Sequence, residues 1–256
     1  MTGIQVIKIG GAALADAGWL SRFAHQFKRN ATRIIVHGGG PEVSALSQQL
    51  GIEVVWAAGR RITSEAALDV ASLVLTGRIN KRIVRALNLA GVHAIGLSGE
   101  DANLMRAQVT QGGAIGRVGE VIEVKSKLLF DLIELGLVPV ISPISADANG
   151  GALNINADEA ATAIANAVGA EELLFLTDVA AVRDETGDCS VLSDVRAREL
   201  IDEGVATGGM SVKLNAALAA VGAGIARVRV GSLAMMNDSK SGTLLRKQEA
   251  EHVGSH

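Results

Sequence analysis

Three charged side chains stand beside turns rich in glycine or asparagine: Lys8, Asp158 and Lys213. Lys8 interrupts the apolar run IQVIKI immediately before two glycines. A lysine near the end of a strand either extends its ammonium group to water or faces an anion beyond the turn. Lys213 falls in the first turns of a predicted helix, where a cation is unfavourable unless a bound polyphosphate reverses the local charge; the alternative is a solvated surface lysine. These residue types suit phosphate chemistry.

Asp158 belongs to the dense polar segment NINADEAATAIA at 154–165, which leads into an alanine-rich helix. Asparagine caps helices and acidic residues complement the positive end of the helix dipole, so a cap accounts for part of this pattern. Two asparagines and two acids are more than a cap needs. The segment therefore offers Asn154 and Asp158 as candidate ligand contacts.

Arginine and glycine supply further candidates. The segment GRRIT at 59–63 suits either a solvated turn or recognition of a substrate carboxylate by a guanidinium group. HGGGP at 37–41 follows a predicted strand and opens a helix, so it forms either an anion-binding loop or a plain turn. The chain has no P-loop motif and no strand-linked G-x-G-x-x-G. His37 stands where a dinucleotide-binding protein would carry an acid, which disfavours an NAD-dependent oxidoreductase.

Short β-rich runs alternate with longer helix-compatible stretches. This alternation predicts a mainly parallel α/β sheet with helices on both sides, whose ligands bind beyond the carboxyl ends of the strands. The glycine-rich stretch at 104–124 predicts β-hairpins that could lie over the end of the sheet. The predicted strands are 4–9, 33–37, 94–98, 138–142, 173–177 and 226–230, and the predicted helices are 16–29, 41–50, 64–90, 126–136, 157–168, 194–203 and 211–222.

The composition limits the class of protein. Only 2% of the 256 residues are aromatic, too few for the base-stacking surface of a single-stranded nucleic-acid-binding protein. The net charge is −3, so any phosphate recognition would depend on local geometry and not on a basic surface. Cys189 is the only cysteine; we expect a surface thiol, not a nucleophile, in a reducing compartment. The pattern predicts a cytoplasmic protein with no signal peptide, membrane span or structural zinc site.

Eleven short motifs resemble, in order, those of the amino acid kinase family. The resemblance runs from about Ile4 to Leu245 and is greatest to the branch that phosphorylates N-acetyl-L-glutamate. The motifs are KIGGAAL, VHGGGPEVS, GRRIT, TGRINKRI, IGLSGED, RVGEV, LVPVISPI, LNINADEAATAIA, LLFLTDV, GGMSVKLNAAL and SGTLL.

The resemblance implies a three-layer αβα sandwich around a mainly parallel open sheet, in a single domain spanning 1–256. Residues 1–170 would form a lobe that binds the acyl-amino acid, 171–246 a nucleotide-binding lobe, and 247–256 a loose polar tail. The implied reaction moves the γ-phosphoryl group of ATP to the γ-carboxylate of N-acetyl-L-glutamate, in arginine biosynthesis. Mg²⁺ would arrive with the nucleotide, without a dedicated protein metal site, and the partners would be small molecules and a second copy of the chain.

The resemblance also implies residue roles. Lys8 and Lys213 would stabilise the transferring phosphoryl group, and Asp158 would hold both lysines in place. The residues that would bind the acylated amino acid are Gly39, Gly40, Arg61 and Asn154. The residues that would contact ATP or its phosphates are Gly10, Gly11, Gly38, Asp178, Val179, Val205, Ala206, Thr207, Gly209 and Met210.

Some positions depart from the family pattern. Ala180 and Ala181 stand where the nucleotide loop usually has a glycine, and Ala102 stands near the usual second glycine after IGLSG. The residues alone leave open whether Arg60 or Arg61 faces the substrate, and the family register favours Arg61. The first strand begins by about residue 4, which leaves no room for the extra helix of arginine-inhibited members. We therefore expect an arginine-insensitive homodimer.

Two alternatives stay open at this stage. The same fold could phosphorylate another acyl-amino acid, such as N-succinylglutamate or a carrier-linked aminoadipate, which would need a more open or basic pocket near Arg61. A non-catalytic sensor of nucleotides or amino acids is the second alternative, and the presence of Lys8, Asp158 and Lys213 argues against it.

Overall fold

The computed structural model describes residues 3–27, 32–57 and 60–248, without the side chains of 12, 17, 60 and 111. Gly59 of GRRIT and most of the predicted tail, 249–256, lie outside the described residues. The helices are α1 (Gly11–Leu14), α2 (Ala17–His25), α3 (Gly40–Gln49), α4 (Glu65–Ser72), α5 (Asn80–Leu89), α6 (Lys127–Glu134), α7 (Ala157–Ala167), α8 (Asp194–Asp202) and α9 (Gly208–Gly222). The strands are β1 (Gln5–Ile9), β2 (Arg33–His37), β3 (Val55–Ala57), β4 (Arg60–Ile62), β5 (Ala94–Ser98), β6 (Met105–Val109), β7 (Val118–Val124), β8 (Val138–Ser142), β9 (Ile144–Ala146), β10 (Ala152–Ile155), β11 (Glu172–Leu176), β12 (Arg183–Asp184), β13 (Gly187–Asp188), β14 (Val191–Ser193), β15 (Val228–Gly231) and β16 (Thr243–Arg246).

The central sheet has eight strands in the order β14-β16-β15-β11-β1-β2-β8-β5. Neighbouring strands are parallel except for β15 and β16, which are antiparallel. All six predicted strands occur within two residues of their predicted bounds, so the mainly parallel sheet is confirmed. Because β1, β2, β11 and β15 run in the same direction, the turns that follow them meet at one edge of the sheet.

The two faces of β1 pack against different helices. Val6 joins the core formed with α7 and α9, whereas Ile7 and Ile9 join the core formed with α2, α3 and α5. Side chains alternate along a strand, so Lys8 shares the face of Val6 and points toward α7 and α9. Lys8 is 8% exposed, which excludes the solvated alternative that its sequence position left open.

The glycine-rich insert contains the expected hairpin. Strands β6 and β7 pair antiparallel and close with β9 and β10 into a separate four-stranded sheet. The predicted single helix at 64–90 instead consists of α4 and α5 joined by a π-helical segment, Leu73–Ile79. Within the described ranges, no helix is long and apolar enough to cross a membrane.

Three charged side chains, Arg33, Glu172 and Arg229, are buried at the amino ends of the strands. Arg229 Nε lies 2.6 Å from Glu172 Oε1, and Arg33 donates to the carbonyl of Met236 at 2.6 Å. Burial is tolerated because these groups have hydrogen-bonding partners. This network stabilises the edge of the sheet opposite the glycine turns.

Ala102 stands near a position where the family usually has a glycine. Its backbone is in the left-handed region, with φ of 51°, which is costly for alanine. We expect Ala102→Gly to stabilise the fold by about 0.5–1 kcal/mol. Relief of left-handed strain is worth roughly 1–2 kcal/mol and the added chain entropy of glycine costs about 0.4–1 kcal/mol. Chemical denaturation would measure the change. Ala223→Gly is the matched control, because Ala223 has φ of −72° and should gain nothing.

Candidate active site

Lys8 and Asp158 form a buried ion pair at the carboxyl end of β1. The Lys8 Nζ atom lies 2.6 Å from Asp158 Oδ1, and the two side chains are 10% and 12% exposed. Asn156 is the N-cap of α7, and its side-chain oxygen accepts hydrogen bonds from the backbone N–H groups of Asp158 and Glu159. The cap is therefore Asn156 alone, and the carboxylate of Asp158 is free to pair with the lysine.

Lys213 lies on α9 and belongs electrostatically to the same cluster. Burial, followed by the positive charge of Lys8, lowers the pKa of Lys213, while the charges of Asp178 and Asp158 act in the opposite direction. Its ammonium group donates to the carbonyl of Gly209 at 3.3 Å. The site thus brings two cations together with an aspartate from a third element, which is an arrangement that favours a bound anion.

Asp178 follows β11 and faces this cluster from the other half of the chain. Thr177 Oγ1 donates to Asp178 Oδ1 at 2.8 Å. This hydrogen bond is the largest cause of a lowered Asp178 pKa, with a smaller contribution from the charge of Lys213. Asp178 is therefore a carboxylate at neutral pH. The described parts of the chain contain no group of three or more aspartate, glutamate, histidine or cysteine residues that could hold a metal ion.

Two glycine turns approach each other beside Lys8. A side chain at Gly11 would come within 2.9 Å of Pro41 Cδ and 3.0 Å of the Gly39 Cα. A side chain at Gly39 would overlap the ends of Ile79 and Leu75, whereas Gly10 and Gly40 have open space. Gly39 is therefore required for packing as well as for access to the backbone.

This packing predicts that Gly39→Ala destabilises the protein by about 1–3 kcal/mol, the usual cost of overpacking. Gly40→Ala is the matched control for stability, because nothing lies within 4 Å of its added carbon. Thermal unfolding of both variants would test the prediction, and equal melting temperatures would contradict it.

A cavity of ≈ 270 Å³ connects the ion pair to the glycine turns and to an arginine. It brings together eight of the predicted site residues: Lys8, Gly11, Gly38, Gly39, Gly40, Arg61, Asn154 and Asp158. Apolar groups also line it, and they include Val43, Leu75, Val118 and Pro143. The residues that the resemblance assigns to the acyl-amino acid therefore share one enclosure with Lys8, Gly11, Gly38 and Asp158.

Arg61 is the arginine that lines the cavity, and it is 7% exposed. Its guanidinium group donates to the carbonyl of Gly40 at 3.2 Å and to Ser44 Oγ, and lies 4.8 Å from the centre of the Trp56 ring. Burial lowers its pKa. A guanidinium group is nonetheless charged at neutral pH. Both hydrogen-bond acceptors are uncharged, so the positive charge remains available for a substrate carboxylate.

Asn154 projects from β10, at the start of the segment that leads into α7. Its side-chain amide donates to Thr63 Oγ1 at 3.3 Å, and Thr63 Oγ1 in turn donates to the carbonyl of Arg61. This chain couples the four-stranded sheet to the arginine across the cavity. Asn154 retains further hydrogen-bonding capacity for a ligand.

The residues predicted to border the nucleotide do not line this cavity, apart from Gly11 and Gly38. Val205, Ala206, Thr207, Gly209 and Met210 lie at the amino end of α9, which begins at Gly208 and not at 211 as expected. Asp178 and Val179 follow β11, with Val179 38% exposed. Gly10 immediately follows β1. Asp178, Val179, Val205, Thr207 and Gly209 are exposed, whereas the side chain of Ala206 is 5% exposed and packs in the core, contrary to its predicted place beside the nucleotide.

Several residues in or beside the cavity wall were not predicted from the sequence. Trp56 and Arg61 are paired across the β3–β4 hairpin, which was not predicted. Trp56 is one of two tryptophans and is 56% exposed, so a rare aromatic beside GRRIT was a usable signal. Ser44 had no distinguishing signal. Cys189 was expected at the surface but is half-buried, and burial raises the pKa of its thiol.

Two glycine turns, two lysines and a connecting aspartate at the carboxyl edge of a parallel sheet define an α/β protein built to hold a phosphorylated ligand. The chain belongs to the amino acid kinase family, whose sequence model matches residues 3–232. It is 41% identical over 242 residues to the acetylglutamate kinase of Chloroflexus aurantiacus, over 93% of this chain and 95% of the relative.

Other comparisons agree with this assignment. The acetylglutamate kinase of Oleidesulfovibrio alaskensis is 39% identical over 241 residues, which cover 88% of this chain and 82% of the relative. The crystal structure of smu.665 from Streptococcus mutans UA159 matches with a TM-score of 0.82 and 28% identity, over 97% of this chain and 100% of that one. The expected family and its fold are therefore confirmed.

Proposed function

We propose that the protein transfers the γ-phosphoryl group of ATP to the γ-carboxylate of N-acetyl-L-glutamate, forming N-acetyl-L-glutamyl 5-phosphate for arginine biosynthesis. The observation that carries this proposal is the single cavity that joins Arg61 and Asn154 to the Lys8–Asp158 pair. One end offers a guanidinium group for a carboxylate, and the other offers an ammonium group for a phosphoryl oxygen. The names of the related enzymes support the choice of acceptor.

The chemistry requires positioning and charge neutralisation. An acyl carboxylate is already nucleophilic at neutral pH, so no side chain needs to remove a proton. Two anions must approach each other, and Lys8 from β1 and Lys213 from α9 reduce their repulsion. Asp158 pairs with Lys8 at 2.6 Å, and its negative charge favours the charged form of Lys213. Correct positioning alone can lower the barrier by roughly 7–11 kcal/mol.

The nucleotide would lie across the open edge formed by the end of β11 and the start of α9. Backbone N–H groups at the amino end of a 15-residue helix attract phosphate oxygens. We assign Mg²⁺ to the nucleotide itself, where it would neutralise phosphate charge. Residues 171–246 would then form the nucleotide lobe and 1–170 the acceptor lobe.

The cavity also bears on the alternative acceptors. Its volume of ≈ 270 Å³ is close to the lower limit for small-molecule sites, and Trp56 covers the Arg61 end. A small acetyl group fits this enclosure better than a succinyl group with a second carboxylate or a protein carrier. We therefore place the acetylated substrate first.

A coupled assay of ADP release separates these alternatives. Purified protein with MgATP should release ADP with N-acetyl-L-glutamate, and far less with N-succinyl-L-glutamate, a carrier-linked aminoadipate or free glutamate. Tight MgATP binding with no ADP release for any acceptor would favour the sensor. A preference for the succinylated or carrier-linked acceptor would contradict the assignment of the acyl group.

Arg61→Ala should raise the KM for the acceptor on the order of 100-fold, with kcat changed less. The buried guanidinium group binds a substrate carboxylate that does not react, so its loss weakens ground-state and transition-state binding alike. Steady-state kinetics with varied acceptor would measure this. Arg106→Ala is the control, because Arg106 is half-exposed and pairs with Glu123 on the four-stranded sheet.

We also propose that the protein is a cytoplasmic homodimer. Strand β5 is the edge of the central sheet, and Leu73 and Leu89 nearby are 67% and 92% exposed. An unpaired edge beside exposed leucines is typical of a surface that another chain covers. Light scattering should give twice the mass of the chain, and Leu89→Glu should lower that mass; a monomer before mutation would contradict the proposal.

A further inference from the structure

His37 is a buried histidine that the proposed chemistry does not use. It lies at the end of β2 with 0% exposure. Burial disfavours the charged ring and lowers the pKa of His37 to about 4, so the ring is neutral at neutral pH. Side chains alternate along β2, where Val36 joins the core on the Lys8 side of the sheet and Ile35 joins the opposite core. His37 shares the face of Ile35 and cannot reach a phosphate beside Lys8.

The hydrogen bonds of the ring determine its tautomer. His37 Nδ1 lies 3.0 Å from the carbonyl oxygen of Gly38. A carbonyl oxygen only accepts hydrogen bonds, so Nδ1 carries the proton and Nε2 presents its lone pair. Asn80 Nδ2 lies 3.3 Å from that Nε2 atom and 2.8 Å from the carbonyl oxygen of Val140. The Val140 carbonyl can only accept a hydrogen bond, so the side-chain atom of Asn80 beside it is the amide nitrogen. The same nitrogen therefore faces His37.

This chain of hydrogen bonds determines the direction of one peptide group in the glycine loop. In a planar trans peptide, the carbonyl of Gly38 and the N–H of Gly39 point in opposite directions. The imidazole holds the carbonyl, so the Gly39 N–H points away from the ring. That N–H donates to no protein acceptor among the residues the structure describes, and both glycines line the cavity.

We propose that His37, oriented by Asn80, is a positioning residue that holds the Gly38 carbonyl and thereby directs the Gly39 N–H toward an anionic oxygen in the cavity. The inference rests on the proposed phosphoryl transfer, since it assigns that N–H to an oxygen of the acceptor or of the transferring group. Glycine needs such a constraint because it has few conformational restrictions of its own. The π-helical segment Leu73–Ile79 immediately precedes Asn80 and sets the rotation of α5 that places the amide.

Three substitutions separate positioning from simple core packing. His37→Asn keeps an amide nitrogen near the place of Nδ1, whereas His37→Gln places its amide near Nε2 and His37→Leu removes the donor. We expect His37→Gln and His37→Leu to lower kcat by roughly 10- to 100-fold, and His37→Asn to stay within about fivefold of the unmodified protein. His25→Leu is the control, because His25 is exposed on α2.

A packing role predicts a different order. Asparagine leaves the largest void, so His37→Asn would then be the least stable and least active variant, while kcat per folded molecule of His37→Leu would be unchanged; that result would overturn the proposal. If wild-type protein forms no acyl phosphate, the proposed function fails, and the ring chemistry is tested separately. Nitrogen-15 NMR of labelled histidines at pH 7 should show His37 protonated at Nδ1 only, with the signal identified by its loss in His37→Asn. A proton on Nε2 would contradict the proposal whatever the activities of the variants.

Discussion

Replacing Lys8 with alanine is expected to lower kcat on the order of 10³-fold, the largest effect on activity of any single substitution in this site. The ammonium group is buried beside the glycine turns and pairs with Asp158 at 2.6 Å. A preorganised cation in a site shielded from water stabilises the developing charge far more than water does. Rapid-quench or coupled kinetics at saturating substrates would measure kcat directly.

The same substitution has a structural cost that must be separated from catalysis. Lys8→Ala leaves the carboxylate of Asp158 buried without its partner, which destabilises a protein by about 3–5 kcal/mol. The double variant Lys8→Ala/Asp158→Asn removes both charges and should recover most of the stability. We expect its kcat to stay as low as that of Lys8→Ala. Recovery of activity together with stability would contradict a direct role for the ammonium group.

Lys213→Ala is expected to have the second-largest effect, a decrease in kcat on the order of 10²- to 10³-fold. Lys213 approaches the cluster from α9 and forms no buried ion pair like that of Lys8 with any residue that the structure describes. The loss of stability should therefore be small. Lys240→Ala is the control, because Lys240 is exposed on the loop before β16.

The pKa of Lys213 gives this prediction a second readout. Burial and the charge of Lys8 lower that pKa below its ordinary value of 10.5. The protonated amine is the active form, so it is present below the lowered pKa and lost as pH rises through it. We expect kcat/KM to decline on the alkaline side at a lower pH than an unperturbed lysine would cause. Lys213→Arg should keep part of the activity and move that decline to higher pH.

Much of the fold was predictable because its core strands are continuous apolar runs. IQVIKI, RIIVH and LLFLT could be identified without ambiguity, since strands covered on both faces need such runs. The β3–β4 hairpin and strands β12 to β14 are only two or three residues long and have too few side chains for a periodic pattern. The π-helical segment changes the spacing of apolar residues in 64–90 only slightly, so the sequence does not distinguish it from an ordinary helix.

The candidate site was predictable where charge conflicts with position. A lysine in a buried strand is unfavourable without a partner, and so is a lysine at the positive end of a helix. A bound anion would offset either cost, so each unfavourable position indicates a candidate site residue. Trp56, Ser44 and Thr63 incur no such cost, because each would be ordinary in a surface loop. Their roles depend on the folding of the hairpin over the cavity. The residues on the nucleotide side remain predictions.

The most direct test of the account is to trap the acyl phosphate with hydroxylamine. Protein incubated with MgATP, N-acetyl-L-glutamate and hydroxylamine should yield the hydroxamate in equal amount to the ADP released. Reactions without acceptor, or with Lys8→Ala protein, should yield almost none. ADP release without hydroxamate would show that phosphate goes to water or to another group, and would contradict transfer to a carboxylate in this cavity.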